Sequence, residues 1–325
     1  MAKLVRIITC SLSSITYVSS FAIPHHHHNK RRITTSLNAA DKDKEEVLHL
    51  LTFDLDDTIF PITPVVNDAN IAQLNTLQSK FGYTKACNQQ IIAASKQIRT
   101  ELRETNTSIT YTDLRKLSVK REIERVSDIS SSSIDTSIIE YTFNAWLTER
   151  HASADRNIYP HTIQGLQTIR NQHPNCIIGA ITNGRGNPLD MPSIETYFDF
   201  CVSGEDDGVF PQRKPDKCIY EAALRTYNDL QQGRTVQEDS NTTFSWIHVG
   251  DDLANDVGAS AACGAKAIWF KMEDEADDEI PMWSTATKEE REKREVLDQM
   301  AKEHVSAFIC SLKELPDAIV QVLKK

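Results

Sequence analysis

Seven cysteines occur in the 325 residues, and no two of them make a CxxC pair. Nothing therefore resembles a zinc site. Cys176, Cys201, Cys263 and Cys310 stand in or beside apolar runs, as small core residues do. That usage suits a reducing compartment. No internal repeat is evident. Basic residues are in deficit, 36 Lys and Arg against 46 Asp and Glu, for a net charge of −10. An acidic body argues against nucleic acid as the main partner. Acid is missing altogether from residues 1–40, which hold five basic residues, Lys3, Arg6, Lys30, Arg31 and Arg32. The apolar run from Ile7 to Ile23 is rich in Ser and Thr and too polar for a membrane span.

Those first residues predict a targeting presequence over 1–40. Lys3 and Arg6 form a charged start, and Val18-Ser19-Ser20 before Phe21 suits a signal-peptidase site. The tract from Phe21 onward, basic and free of acid, is similar to the bipartite plastid presequences of diatoms and related algae. The resemblance implies a plastid (chloroplast) location; a mitochondrial presequence, or a tail on a cytoplasmic protein, is the alternative. His25–His28 reads as low-complexity sequence within the leader.

What the chain does have is a set of apolar runs that open into polar residues. Val47 to Phe53 ends in three acids, Asp54, Asp56 and Asp57, followed by Thr58. Such a run reads as a buried parallel strand. Ligands of open α/β sheets sit beyond the carboxyl ends of the strands. Like charges crowded there are costly unless a cation or a reaction uses them. A surface turn with an Asp–Asp pair gives the same letters. Cys176 to Gly186 is a second strand, ending in Thr182, Asn183 and Gly184. Its hydroxyl and backbone N–H groups can meet a phosphoryl group; read alone, it is equally a plain strand-to-loop turn. Lys214 precedes Pro215, which fits a first helical turn, and the helical stretch 217–227. A solvated surface lysine accounts for that segment as well. Trp246 to Gly258 again runs from a strand into acids, Asp251, Asp252 and Asp256. Oxygen ligands on a rigid strand tip suit Mg²⁺, although Asp252 also suits a helix N-cap.

Together the four segments resemble the haloacid dehalogenase superfamily, whose motifs are DxDx[TV], a strand ending in Thr or Ser, a lone Lys, and GDxxxD. Here they stand as Asp54-Leu55-Asp56-Asp57-Thr58, Thr182-Asn183, Lys214, and Gly250-Asp251 through Asp256. The last is one residue longer than the family spacing, which Asn255 would satisfy. The resemblance implies that Asp54 is the nucleophile and forms an aspartyl-phosphate. It implies that Asp56 protonates the leaving oxygen and then activates water. Thr182 would bind and Lys214 neutralise the phosphoryl oxygens, with Asn183 and Gly184 beside the substrate. Mg²⁺ would be held by Asp54, the Asp56 carbonyl and Asp251, with Asp256 orienting that shell. Dehalogenases of the superfamily lack an acid at the position of Asp56, so the chain reads as a phosphatase or phosphomutase.

Segments 51–60, 182–184 and 248–258 look like the bacterial phosphatases that act on flavin mononucleotide and on the phosphorylated ribitylaminouracil precursor of riboflavin. The expected partner is thus a small phosphorylated metabolite, with no membrane span. Phosphoglycolate or a nucleoside monophosphate is a second substrate reading. A non-catalytic binding protein on the same fold is a third, disfavoured by the intact Asp54 and Asp56.

Strand candidates are 47–53, 177–182, 200–203, 245–249, 266–270 and 306–310, separated by helical stretches. That alternation predicts an α/β fold, a doubly wound, Rossmann-like parallel sheet. Residues 65–80, 87–104, 112–127 and 135–152 read as four helices with no strand among them. The resemblance makes them a smaller all-helical cap inserted after the first strand. The expected division is a core of 45–63 and 156–325 around a cap of 64–155, with Asp155–Tyr159 as the return hinge. Trp146 is expected in the core of this bundle, with stacking on a flavin as the alternative. The polar stretch 231–243 reads as a surface loop. The run 273–279, six acids in seven residues, and the charged helix 287–303 carry no assigned function.

Overall fold

A computed structural model describes residues 47–127, 134–233, 243–272 and 286–325. The presequence over 1–40, the acidic run 273–279 and residues 234–242 of the polar stretch lie outside the described residues.

Six parallel strands form one sheet in the order β3-β2-β1-β4-β5-β6. They are β1 (Leu50–Phe53), β2 (Ile177–Thr182), β3 (Phe200–Ser203), β4 (Trp246–Gly250), β5 (Lys266–Phe270) and β6 (Val305–Ile309). All six coincide with predicted strands to within a few residues. Val47–His49 fall outside β1, although the His49 amide still bonds the Ser245 carbonyl at 3.1 Å. The chain builds outward from β1 through β2 to β3, then returns to β4 on the other side. The order therefore reverses between β1 and β4, and a crevice opens at the carboxyl ends of these neighbours.

Alternating residues explain the two covered faces. Leu51 and Phe53 pack with Ile178, Ala180, Ile247 and Val249 against α5 (Thr162–Gln172) and α9 (Leu315–Leu323). Leu50, Ile177, Ile181 and Trp246 face the other way, against Ile219, Tyr220 and Ala223 of α6 (Lys217–Gln232). A strand buried on both sides needs apolar residues at nearly every position, and β1 and β2 are buried throughout. Each such side chain contributes about 1.5–3 kcal/mol.

Between β1 and β2 lie α1 (Ile62–Asn75), extended by a wide turn at Thr76–Lys80, α2 (Asn88–Glu104), α3 (Tyr111–Ser127) and α4 (Thr136–Arg156). α1 starts three residues before the predicted 65. The Asp57 carboxylate accepts from the Ile62 N–H at 2.8 Å, and Pro64 falls in a first turn, where its missing N–H costs nothing. α4 runs on to Arg156, so the expected hinge shrinks to Asn157–Tyr159. There the Tyr159 amide bonds the Ile59 carbonyl at 2.9 Å, tying the returning chain to the outgoing one. Leu77, Ile91, Val119, Ile123 and Ile139 form the apolar centre of this helical insertion. Trp146, 6 % exposed, packs with Ala69 and Phe143 beside α1, as a bundle-core residue does. No helix among the described residues is long and apolar enough to cross a membrane.

Candidate active site

Residues 160 positions apart in sequence meet at the crevice, because β1 and β4 are neighbours and the loop before α6 folds over their ends. β1 continues one ladder step past Phe53, the Asp54 N–H donating to the Val249 carbonyl at 2.9 Å. This fixes Asp54 opposite the end of β4. Asp251 follows directly, and Thr58 clamps it: the Thr58 hydroxyl accepts from the Asp251 amide at 3.0 Å and donates to its carboxylate at 3.3 Å. Trp269 Nε1 holds the Asp251 carbonyl at 2.7 Å.

Asp256 completes the cluster by an unusual local route. The Asp252 side chain caps the segment Leu253–Gly258 by accepting from the Asn255 N–H at 2.7 Å. The Asp252 carbonyl then accepts from Asp256 at 2.8 Å and Val257 at 3.2 Å, a widened π-type turn. This turn absorbs the extra residue in the spacing, so Asp256 faces the site while the Asn255 amide turns back to Asp252. The approach is close: a Cβ on Gly250 would lie 2.4 Å from Asp256 Cβ, so only glycine fits there. This loop runs into the short α7 (Ala259–Ala262), and the charged α8 (Lys288–Ala301) braces it, with Asp298 accepting from Ala254 N at 3.0 Å and Arg294 paired with Asp252.

Lys214, 7 % exposed, bonds Asp54 through Nζ and reaches Asp256 at 2.8 Å. Pro215 precedes Asp216, the N-cap of α6, rather than occupying its first turn; the cap side chain takes the Cys218 N–H at 2.8 Å. Asn183 fixes the Lys214 peptide from both ends, accepting from its N–H at 2.8 Å and donating to its carbonyl at 3.4 Å. Thr182, at the buried tip of β2, takes the Gly184 N–H at 3.3 Å. Asp56 is half-buried, and Arg150 of α4 donates to it at 2.7 Å.

Burial and mutual repulsion govern the electrostatics. Burial pushes the Asp54 carboxyl up to about 8, with Lys214 pulling the other way and Asp256 and Asp56 adding to the rise. Burial, then the Asp256 and Asp54 charges, holds Asp251 well above the usual carboxylate range. Asp256 is buried too, but Lys214 and His248 outweigh that and leave it below its ordinary value. Burial likewise penalises the Lys214 ammonium, and Asp256 and Asp54 more than restore it. Burial keeps His248 neutral. Trp246 Nε1 donates to Thr52, whose hydroxyl meets His248 Nδ1, each at 2.8 Å. A proton on His248 Nε2 then faces Asp256 at 3.5 Å, where a lone pair would be repelled.

Oxygens of Asp54, Asp251 and Asp256 lie within 4.8 Å of one another. Three carboxyl groups against one lysine form a donor set of hard oxygens whose burial and mutual repulsion oppose full ionisation until a further cation joins them. That set fits a small divalent cation such as Mg²⁺. Sequence reasoning missed Arg150, His248 and Thr58 as members of the site. His248 and Thr58 lie inside the motif segments, but Arg150 sits in a helical stretch whose pattern reports only packing.

The profile of the haloacid dehalogenase-like hydrolases matches residues 48–264. The chain belongs to this family. It is 24 % identical over 223 residues, 69 % of this chain and 83 % of the relative, to the 5-amino-6-(5-phospho-D-ribitylamino)uracil phosphatase YigB of Escherichia coli. Among solved structures, the 2-haloacid dehalogenase of Pseudomonas syringae pv. tomato is similar with a TM-score of 0.59 at 21 % identity. That match covers 85 % of this chain and 99 % of that one, and it shows the shared fold. The chain is thus a hydrolase of this family with the expected α/β architecture, and one relative is a phosphatase.

Proposed function

We propose that the chain is a phosphomonoester hydrolase working through an aspartyl-phosphate on Asp54. The observation that carries this reading is Asp56, an acid two residues beyond Asp54 whose carboxylate is held by Arg150 at 2.7 Å. Displacing an alkoxide from phosphorus needs a proton donor, and displacing a halide does not.

In the proposed first step an Asp54 oxygen attacks phosphorus and the bond to the ester oxygen breaks. The proton passes to that oxygen from the Asp56 oxygen not bonded to Arg150. In the second step Asp56 takes a proton from water, the water oxygen attacks phosphorus, and the Asp54–phosphorus bond breaks. Inorganic phosphate leaves and Asp54 is restored. Splitting one displacement in two lowers the barrier of each. Lys214 neutralises phosphoryl charge, Thr182 and the Gly184 region offer donors, and Asn183 keeps Lys214 in place. Asp54, the Asp56 carbonyl and Asp251 would hold Mg²⁺, with Asp256 orienting them through Lys214. When bound, the cation supplies charge neutralisation for the phosphoryl oxygens.

For substrate, the likeness to YigB supports a phosphorylated ribityl compound of riboflavin synthesis. A cavity of 710 Å³ between Asp56 and the helical insertion agrees with a ligand of that size. The test is a phosphatase screen of the chain from residue 41 onward with Mg²⁺, against flavin mononucleotide, the ribitylaminouracil phosphate, phosphoglycolate and nucleoside monophosphates. The reading expects kcat/KM for the ribityl esters to exceed that for phosphoglycolate by about tenfold or more. Preference for phosphoglycolate removes the flavin assignment and leaves the phosphatase; no turnover at all removes both.

A further inference from the structure

The cavity above Asp56 has a charge pattern that a single scissile phosphate does not explain. Among the described residues it is lined by Arg99, Arg103, Arg115, Arg150 and Arg185, and by two carboxylates, Asp56 and Glu290. Arg150 is paired with Asp56 at 2.7 Å, and Arg103 with Glu290 at 2.9 Å. Arg99, Arg115 and Arg185 have no carboxylate within ion-pair distance among the described residues, although the Glu290 charge, already paired with Arg103, also acts on Arg99. Three guanidinia without an ion pair among the described residues collect here in a chain whose net charge is −10. The phosphoryl end, meanwhile, is already served by Lys214 at the bottom of the crevice.

The walls offer N–H donors rather than bare ring faces. Arg115 lies 3.9 Å from the Trp146 ring, which also stacks with Phe143. Tyr111 carries Arg213 at 3.7 Å and Arg99 at 5.5 Å. A flat ligand therefore meets guanidinium groups where the aromatic rings alone would have invited stacking. Arg115 spends one nitrogen on neutral amides, Asn70 at 2.8 Å and Gln73 at 3.4 Å. Asn70 is itself fixed by Trp146 Nε1 at 3.1 Å, so Arg115 is held in place without being neutralised. Burial, then the Arg150 charge, lowers the Arg115 guanidinium to about 9, so it is still a cation at neutral pH. Arg99 Nε and Arg150 Nη1 are buried and have no hydrogen-bond partner among the described residues. Both atoms are donors on cavity-lining residues. Buried donors left unmade are costly, and a ligand oxygen removes the cost.

We propose that Arg115 and Arg99 form a head-group subsite, selecting phosphomonoesters whose far end carries oxygen acceptors. This rests on the phosphatase reading and narrows its substrate class. The acceptors are either the carbonyl oxygens of a pyrimidinedione ring or a second anion, a carboxylate or phosphate. Guanidinium edges bind both by paired N–H donors.

The experiment compares kcat/KM with Mg²⁺ for flavin mononucleotide, 6-phosphogluconate, fructose 1,6-bisphosphate and ribitol 5-phosphate. The last has the chain and phosphate but no head group. The wild type is expected to prefer one head-bearing ester over ribitol 5-phosphate by about tenfold or more, because a site built to bond a group rejects the analogue lacking it. Flavin mononucleotide as the preferred ester identifies ring carbonyls; either of the others identifies an anion. Arg115→Gln and, separately, Arg99→Gln should each lower that preference ratio by about tenfold, with Arg115→Lys recovering part of it. A ratio near one in the wild type, or one unchanged in both Gln variants, overturns the proposal. If no ester is turned over, the phosphatase reading has failed. Calorimetric binding of the same four compounds then decides the subsite: loss of head-bearing ligand affinity in Arg115→Gln supports it, and equal affinity refutes it.

Discussion

Asp251 provides a sharp test of the metal reading through stability rather than turnover. Among the described residues its carboxylate bonds only the Thr58 hydroxyl and pairs with no Lys or Arg, while Asp54 and Asp256 both share Lys214. All three acids offer oxygens within 4.8 Å of one another, so each ionised pair repels by about 3.5 kcal/mol at an effective dielectric of about 20. Proton uptake and Lys214 relieve much of this, leaving a net cost near Asp251 of about 1–3 kcal/mol. Asp251→Asn keeps the shape and an acceptor for Thr58 but removes the charge. In EDTA the variant should therefore melt above the wild type, by about 2–12 °C at roughly 2–4 °C per kcal/mol for a domain of this size. Mg²⁺ should reverse the order. At about a hundred times its dissociation constant it adds about 2.7 kcal/mol to the wild type, and much less to a chain lacking a ligand. Differential scanning calorimetry with and without Mg²⁺ measures both shifts. A variant that melts below the wild type in EDTA, and gains as much from Mg²⁺, would refute both the repulsion argument and the cation site.

Asp54→Asn should lower kcat by orders of magnitude with little loss of secondary structure; near-normal turnover would exclude the covalent route. Lys214→Met strands Asp54 and Asp256 as buried acids, and should cost about 3–5 kcal/mol in urea unfolding; a change under about 1 kcal/mol would show that the pair is not stabilised by the lysine. The targeting reading of residues 1–40 predicts that a fusion of this segment carries a reporter into the plastid, and that Phe21→Ala stalls it. Uniform cytosolic signal from the unaltered segment would end that reading.

Local pattern alone determined much of this molecule. The apolar runs that lead into Asp54, Thr182 and Asp251 mark β1, β2 and β4, because a strand buried on both faces must be apolar along its length. Helical spacing likewise marked α2 and α3 to within a few residues, since that periodicity is carried by neighbours in the chain, whereas α6 runs past the predicted 227 to Gln232, into the stretch read as a loop. The motif acids were legible because each stands at the end of such a run.

Tertiary structure decided what those residues meet. Strand order places β1 beside β4, and only then do Asp54 and Asp251 share one crevice. The widened turn after Asp252 chose Asp256 over Asn255, a matter of backbone hydrogen bonds that spacing leaves open. Arg150 reaches Asp56 across 94 positions, and Arg115 is fixed by Asn70 across 45. Neither arginine stands out in a helical pattern, because such a pattern records which side of a helix is buried and not which charge it faces. Trp146 was settled in the same way: Arg115 and Phe143 cover its ring, and that follows from how α1, α3 and α4 pack together.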